Sequence, residues 1–167
     1  ACTALAAQVG VAAEVVYFFP TEDALVTRFI AGASIAPEMA VQPAMLKRIV
    51  ASMQCYHAAP AFPGTFSPFE RVRAYHTLAL AHDVPFPDTL PHILALMEKI
   101  EQALSGVEQI RPCHNDLLAS NFIDDGSAIR IIDWEYAGMG DLFFDLGNFA
   151  INQDLNDEQC QLLLTLY

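Results

Sequence analysis

The stretch Cys113-His114-Asn115-Asp116-Leu117-Leu118-Ala119-Ser120-Asn121-Phe122 sets a carboxylate and a carboxamide five residues apart, just before an apolar segment. A second carboxylate follows another apolar run in Ile131-Ile132-Asp133-Trp134-Glu135-Tyr136. Hard oxygen donors of this kind suit Mg²⁺, which takes one or two carboxylates and keeps several waters. The chemistry that fits is phosphoryl transfer from a magnesium nucleotide, where the protein's work is positioning and charge neutralisation. In such a reaction Asn121 and Asp133 offer the metal an amide oxygen and a carboxylate from opposite arms of a hairpin. Asp116 faces the acceptor hydroxyl, orients it and takes its proton as the bond to phosphorus forms.

These side chains need elements that aim them. Phe122-Ile123 and Ile129 to Ile132 read as short strands around Asp124-Asp125-Gly126, a hairpin signal in which the two aspartates are turn formers rather than metal ligands. Upstream, residues 1–9 read as the tail of a helix closed by Gly10. Val15 to Phe19 and Leu25 to Ile30 read as two strands of a hairpin, after which Ala31 to Ser34 breaks regularity. Leu46, Ile49, Val50 and Met53 recur at helical spacing and predict a one-sided helix from Pro43 to Tyr56. Ser67-Pro68-Phe69-Glu70 resembles a capping box that opens a helix carrying Val72, Tyr75, Leu78 and Ala79. Leu94, Met97, Ile100 and Leu104 mark a third helix ending near Gly106. Gly138-Met139-Gly140 reads as a turn, and Asn156 as the cap of a last helix through Leu162 to Leu164. The sum is a mixed α+β architecture dominated by helices.

Composition narrows the classes. The chain has 167 residues, 54% of them hydrophobic, with 8 Lys+Arg against 20 Asp+Glu and a net charge of −12. The apolar content suffices for a core, and the acidic balance argues against a nucleic-acid-binding surface. No apolar run reaches the ~18 residues that span a bilayer. Cys2, Cys55, Cys113 and Cys160 form no CxxC, so free thiols in a reducing cytoplasm are expected, with Cys113 inert and buried. His57, His76, His82 and His92 share no ligand spacing and read as surface or half-buried packing. Trp134 is divided between core packing and contact with the acceptor.

The motifs together resemble a kinase catalytic loop, His-Arg-Asp with Asn five residues after the Asp, and Asp133-Trp134-Glu135 stands at the place of Asp-Phe-Gly. The wording His-Asn-Asp-Leu-Leu-x-x-Asn-Phe, then Ile-Asp-Trp-Glu-Tyr-Ala-Gly, then Asp141-Leu-Phe-Phe-Asp145-Leu-Gly-Asn, is similar to the choline/ethanolamine kinase family within the aminoglycoside-phosphotransferase-like kinases. The resemblance implies a protein-kinase-like fold: residues 1–34 a remnant of the small lobe and hinge, residues 35–167 the large catalytic lobe, truncated at its C-terminus. It implies ATP and Mg²⁺ as cofactors and a small alcohol, choline or ethanolamine, as acceptor. Residue by residue, it makes Asp116 the catalytic base and Asn121 and Asp133 the metal ligands. His114 and Asp145 support the loop. Phe29 and Ile30 offer backbone groups to adenine, and Glu135 and Tyr136 approach the acceptor, whose quaternary ammonium would suit aromatic faces and carboxylates.

The sequence also departs from a complete kinase. It contains no G-x-G-x-x-G and no G-x-x-x-x-G-K-[ST]. Its two lysines, Lys47 and Lys99, lie on helices after the hinge, and residues 1–9 hold no Glu to pair with a strand Lys. The chain therefore reads as a fragment that turns over weakly or not at all and self-associates through uncovered apolar surface. Two other readings stand beside it, an aminoglycoside or other hydroxyl kinase, and a non-catalytic pseudokinase-like binding module.

Overall fold

Seven helices and seven strands run along residues 1–167, all of which the structure, a computed structural model, describes. The Ala-rich start forms α1 (Cys2–Gln8), stopped by Gly10 at φ +79°. A β-branched and aromatic run then forms β1 (Val15–Phe19), which pairs antiparallel with β2 (Ala24–Thr27) around a turn holding Asp23 at φ +49°. The second strand ends at Thr27, short of the expected Ile30.

Ala33–Ser34, expected to be irregular, is a short strand, β3. Its pairing partner lies about ninety residues away, at Ile123 and Asp124, so no local pattern announces it. Gly32 sits against that partner: a Cβ there would fall 2.4 Å from the Asp124 carbonyl oxygen.

After α2 (Pro37–Ala40) comes α3 (Pro43–His57), whose Leu46, Ile49, Val50, Met53 and Tyr56 are all buried. That is the one-sided stripe the spacing predicts. α4 (Pro68–Ala81) starts at Ser67, whose hydroxyl accepts from Glu70 N at 3.3 Å with Pro68 in the first turn. α5 (Leu90–Leu104) follows. Neither α4 nor α5 has a fully buried residue, and Arg73 on one is paired with Glu101 on the other.

β4 (Ile110–Cys113) leads into a loop and a 3₁₀ turn (Ala119–Asn121). β5 (Phe122–Asp124) and β6 (Ile129–Ile131) form the expected hairpin, paired Phe122 to Ile131 and Asp124 to Ile129. Its turn is held by aspartate side chains: Asp125 accepts from Ser127 N and Ala128 N, and Asp124 accepts from Gly126 N. Those backbone donors, led by Ala128 N–H and joined by Arg130, hold the Asp125 carboxyl well below its ordinary range. Asp124 also takes both Arg48 guanidinium nitrogens, at 2.5 and 2.7 Å.

Gly138-Met139-Gly140 is not a turn but most of β7 (Gly138–Asp141), antiparallel to β4. Both glycines serve close backbone approach: a Cβ on Gly138 would lie 3.4 Å from Gly64 O, and one on Gly140 3.3 Å from Phe66 O. α6 (Leu142–Asn152) is capped by Asp141, which accepts from Phe143 N. Its buried residues, Leu142, Asp145, Leu146 and Phe149, recur at helical spacing, with a carboxylate set inside the apolar stripe. α7 (Asp157–Leu166) opens on a reciprocal capping box between Asn156 and Gln159.

One core joins these pieces. It runs from Ala6, Val11 and Ala12 through the α3 stripe to Phe122, Ile129, Ile131, Leu146, Phe149 and Leu163. The bend after α1 is stitched to β6, with Ile131 N donating to Val11 O at 2.7 Å and Arg130 to Gly10 O. Trp134 belongs to this core, packed edge-on against Tyr56, Phe62 and His114, with its indole N–H donating to Ile131 O. No helix is long and apolar enough to cross a membrane.

Candidate active site

The loop from His114 to Leu117 has no secondary structure to satisfy its amides, so side chains do it. His114 N and Asn115 N donate to the two oxygens of Asp145, at 2.8 and 2.7 Å. Asp116 N donates to His114 Nδ1 at 3.2 Å, and Leu117 N to Asn148 Oδ1 at 2.6 Å. Gln153 Nε2 donates to Leu117 O at 3.0 Å. Buried polar backbone has to be paired, and α6 supplies most of the pairing.

Asp145 is fully buried and is the hub of this arrangement. It also accepts from Tyr56 Oη at 2.7 Å and contacts His57 Nε2 at 3.1 Å, while His57 Nδ1 meets Tyr167 Oη at 2.8 Å. Burial alone would push the Asp145 carboxyl up, but His57, the His114 N–H and the Tyr56 hydroxyl outweigh it and hold the carboxyl below its ordinary value. His57 is therefore buried polar structure, not the surface or half-buried packing expected: the far end of α3 lies over Asp145, and the two ring nitrogens meet Asp145 and Tyr167. Cys113, Asp145 and His57 converge closely enough to suggest a metal site. The Asp145 oxygens are already taken by four donors, so the cluster is a hydrogen-bond network. Burial, followed by the nearby Asp145, pushes the Cys113 thiol far up and keeps it protonated.

His114 is buried and is held in one tautomer by its neighbours. Nε2 faces Ile132 O at 2.9 Å, an acceptor, and Nδ1 faces the Asp116 N–H, a donor. Only the neutral ring with its proton on Nε2 satisfies both. Burial lowers its pKa, against the pull of Asp145 and of the Ile132 carbonyl.

Cross-ties join the stretches of chain that carry the three oxygen-bearing residues. Asn121 Nδ2 donates to Asp116 O at 2.9 Å, and Ile132 N donates to Asn121 O at 3.0 Å, extending the β5–β6 ladder by one rung. Asp133 is the next residue on the far arm, at φ +67°, a left-handed conformation that Asp tolerates. With its nitrogen committed to Asp116 O, the Asn121 amide leaves Oδ1 without a donor. Neither Asp116 nor Asp133 is paired with a Lys, Arg or His. Two unpaired carboxylates and a free amide oxygen, all hard donors, fit a magnesium ion.

Glu135 is exposed and Tyr136 half-buried in the turn that follows. The Tyr75 hydroxyl beside it, then Glu135 and Asp116, pushes the Tyr136 phenol up. Tyr75, on α4, was not singled out from the sequence as a site residue. Phe29 and Ile30 line a cavity of about 780 Å³ between α1, the start of β1 and Arg28, with the Phe29 side chain 88% exposed. None of Asp116, Asn121 and Asp133 lines that cavity. Asn148 and Gln153 also went unread, although Asp145 and Asn148 lie three apart on α6, the spacing that puts two polar groups on one face of an apolar helix.

Comparison with known proteins decides the family. The sequence profile of choline/ethanolamine kinases matches residues 3–160. The chain belongs to the choline/ethanolamine kinase family. Among similar proteins, ethanolamine kinase 2 of Rattus norvegicus is 32% identical over 139 residues, covering 76% of this chain and 35% of that protein. The LicA protein of Haemophilus influenzae is 26% identical over 148 residues, covering 84% of this chain and 54% of LicA. A solved choline/ethanolamine kinase family protein from Mesorhizobium loti superimposes with a TM-score of 0.88 at 29% identity, over 99% of this chain and 58% of that one. The choline kinase LicA from Streptococcus pneumoniae shares the fold, with a TM-score of 0.85 at 22% identity. The fold is thus protein-kinase-like, and the chain spans from about a third to three fifths of these relatives' lengths.

Proposed function

We propose that this chain carries the catalytic and metal-binding part of an ATP- and Mg²⁺-dependent kinase that phosphorylates the hydroxyl of a small amino alcohol such as choline or ethanolamine. One observation carries the reading. Asp116, Asn121 and Asp133 stand on two loops cross-tied by Asn121, and none of the three has a cationic partner within the protein. In a choline/ethanolamine kinase, that donor set is what a magnesium nucleotide requires.

Asn121 Oδ1 and the Asp133 carboxylate would hold the magnesium, which when bound neutralises charge on the transferring phosphoryl group. Asp116 orients the acceptor hydroxyl and takes its proton. His114 and Asp145 fix the backbone on either side of that carboxylate. Phe29 and Ile30 offer backbone groups to adenine. Glu135 and Tyr136, with Tyr75, offer a carboxylate and ring faces to the acceptor's ammonium. In this reading residues 1–34 belong to the small lobe and hinge, and residues 35–167 to the large lobe.

The sequence provides no Gly-rich loop and no strand Lys paired with a helix Glu. Turnover by this chain on its own is therefore expected to be very weak, and binding is the better assay. A ligand that binds the folded state raises the unfolding midpoint according to its concentration over its dissociation constant. Mg-ATP and choline should each raise the midpoint, and Asp133→Ala should abolish the Mg-ATP response. A midpoint that responds to neither ligand would overturn the assignment, as would a response identical in Asp133→Ala. Robust Asp116-dependent ATP consumption with choline would overturn the expectation of weak turnover.

A further inference from the structure

Asn115 lies between His114 and Asp116, at the position where His-Arg-Asp loops carry Arg, and the phosphotransfer reading gives it no task. Its backbone sits at φ +69°, a conformation Asn tolerates because its short polar side chain bonds locally. The side chain is 95% buried, and Nδ2 donates to Tyr136 O at 3.0 Å and approaches Cys113 O at 3.5 Å. Chemistry fixes the amide's orientation. The reversed amide would set Oδ1 against the Tyr136 carbonyl oxygen, acceptor against acceptor. Oδ1 instead is buried with no donor and faces Gly140, where an added Cβ would come within 3.4 Å of it. Burying an unpaired amide oxygen is unfavourable. The fold accepts that cost in the orientation that keeps the bond to Tyr136.

We propose that Asn115 is a positioning residue that clasps the turn Trp134–Ala137 to the loop bearing Asp116, setting the site's grip on the acceptor apart from its grip on the metal. The role in acceptor binding rests on the phosphotransferase reading above; the clasp itself does not. The separation follows from the ties. Asn121 and Asp133 are held by the bond from Ile132 N to Asn121 O, by His114 on Ile132 O and by Asn121 Nδ2 on Asp116 O, and the Asn115 side chain takes part in none of these. Glu135 and Tyr136 have the Asn115 amide at their root.

Asn115→Gly tests this, because glycine adopts φ +69° without strain and only the side chain is lost. Hydrogen exchange in the segment 134–137, where Ala137 N donates to Trp134 O at 3.3 Å, should quicken by about tenfold, the loss of one net hydrogen bond. Exchange in the β5–β6 hairpin should not change. Half-saturating choline in a thermal titration should rise by about tenfold, while the affinity for Mn²⁺, read by electron paramagnetic resonance as a probe of the metal end, stays as in the wild type. Gly140→Ala presses on the same amide from the other side and should show the same split in weaker form. Unchanged exchange at 134–137, or equal quickening throughout the chain, overturns the clasp. Mn²⁺ affinity falling in step with choline affinity overturns the separation. A wild-type chain indifferent to choline would count against the proposed acceptor, and the exchange pattern would still decide the clasp.

Discussion

Two β-hairpins in this chain have the same local design and opposite surroundings. In β1–β2 the side chains of Val16, Tyr17, Phe18, Phe19, Leu25 and Val26 are 42–56% exposed. In β5–β6 the side chains of Phe122, Ile129 and Ile131 are at most 1% exposed. Each hairpin forms because β-branched and aromatic residues flank a turn signal. Only the second is built into the core, under α3 and α6, with Ser52 Oγ donating to Ile129 O and Val11 O accepting from Ile131 N. The second is also flanked by Asn121 and Asp133, the residues proposed above to hold the metal. Precise placement of oxygens goes with burial of the strands that carry them, since a packed core permits few alternative positions.

The largest test of that contrast is a paired truncation. Phe122→Ala should cost about 3–5 kcal/mol in chemical denaturation, the range for a fully buried aromatic. Tyr17→Ala on the exposed hairpin should cost less than about 1 kcal/mol, since little burial is lost. Equal costs would erase the distinction.

Acid should act on the buried hairpin first. The pKa of His114 is lowered in the folded state, so the unfolded chain takes up its proton at a higher pH than the folded one does. Stability should therefore decline as pH falls below the unfolded value of about 6.5. Asp145, also lowered in the folded state, adds a second loss below about pH 4, its ordinary range. Thermal midpoints from pH 8 to pH 3 would show both steps. A protonated His114 also loses its bond from the Asp116 N–H, so the midpoint shift with Mg-ATP should shrink along the first step. A flat profile between pH 7 and pH 5 would contradict the buried neutral imidazole.

Smaller effects sharpen the picture at the edges. Asp133→Ala should cost at most about 1–2 kcal/mol of stability, since Ala lacks the short polar side chain that eases Asp into the left-handed region, while removing the response to metal. Ser67→Ala, at the start of the exposed α4, should cost about 1 kcal/mol as a lost helix cap. Smallest is Leu25→Thr, within about 0.5 kcal/mol as a surface change. We expect it to reduce self-association through the uncovered hairpin, read by sedimentation velocity. A monodisperse wild-type monomer would remove the premise.

Much of this was legible in the residues. The α3 stripe, the Asp-Asp-Gly turn and the caps at Ser67 and Asn156 are local patterns, and local patterns survive translation into structure. β3 and β7 were not legible, because their partners lie far along the chain and their glycines are required by neighbouring backbone rather than by a turn. α6 is harder to read because Asp145, Gly147 and Asn148 interrupt its apolar run. Asn148, Gln153, His57 and Tyr75 are polar or aromatic residues with no motif of their own, and their partners appear only after folding.

The sequence alone determined which atoms are available: two carboxylates and an amide at kinase spacing, and the short strands beside them. Spacing along a chain can say that much because turns and strands are set by neighbours a few residues away. Tertiary structure decided what holds those atoms still. Asp145 reaches the amides of His114 and Asn115 from thirty residues onward, and Asn115 reaches the Tyr136 carbonyl from twenty-one before it. Such bonds depend on the packing of α3 and α6 around a shared core, a property of the whole fold and of no single stretch of the chain.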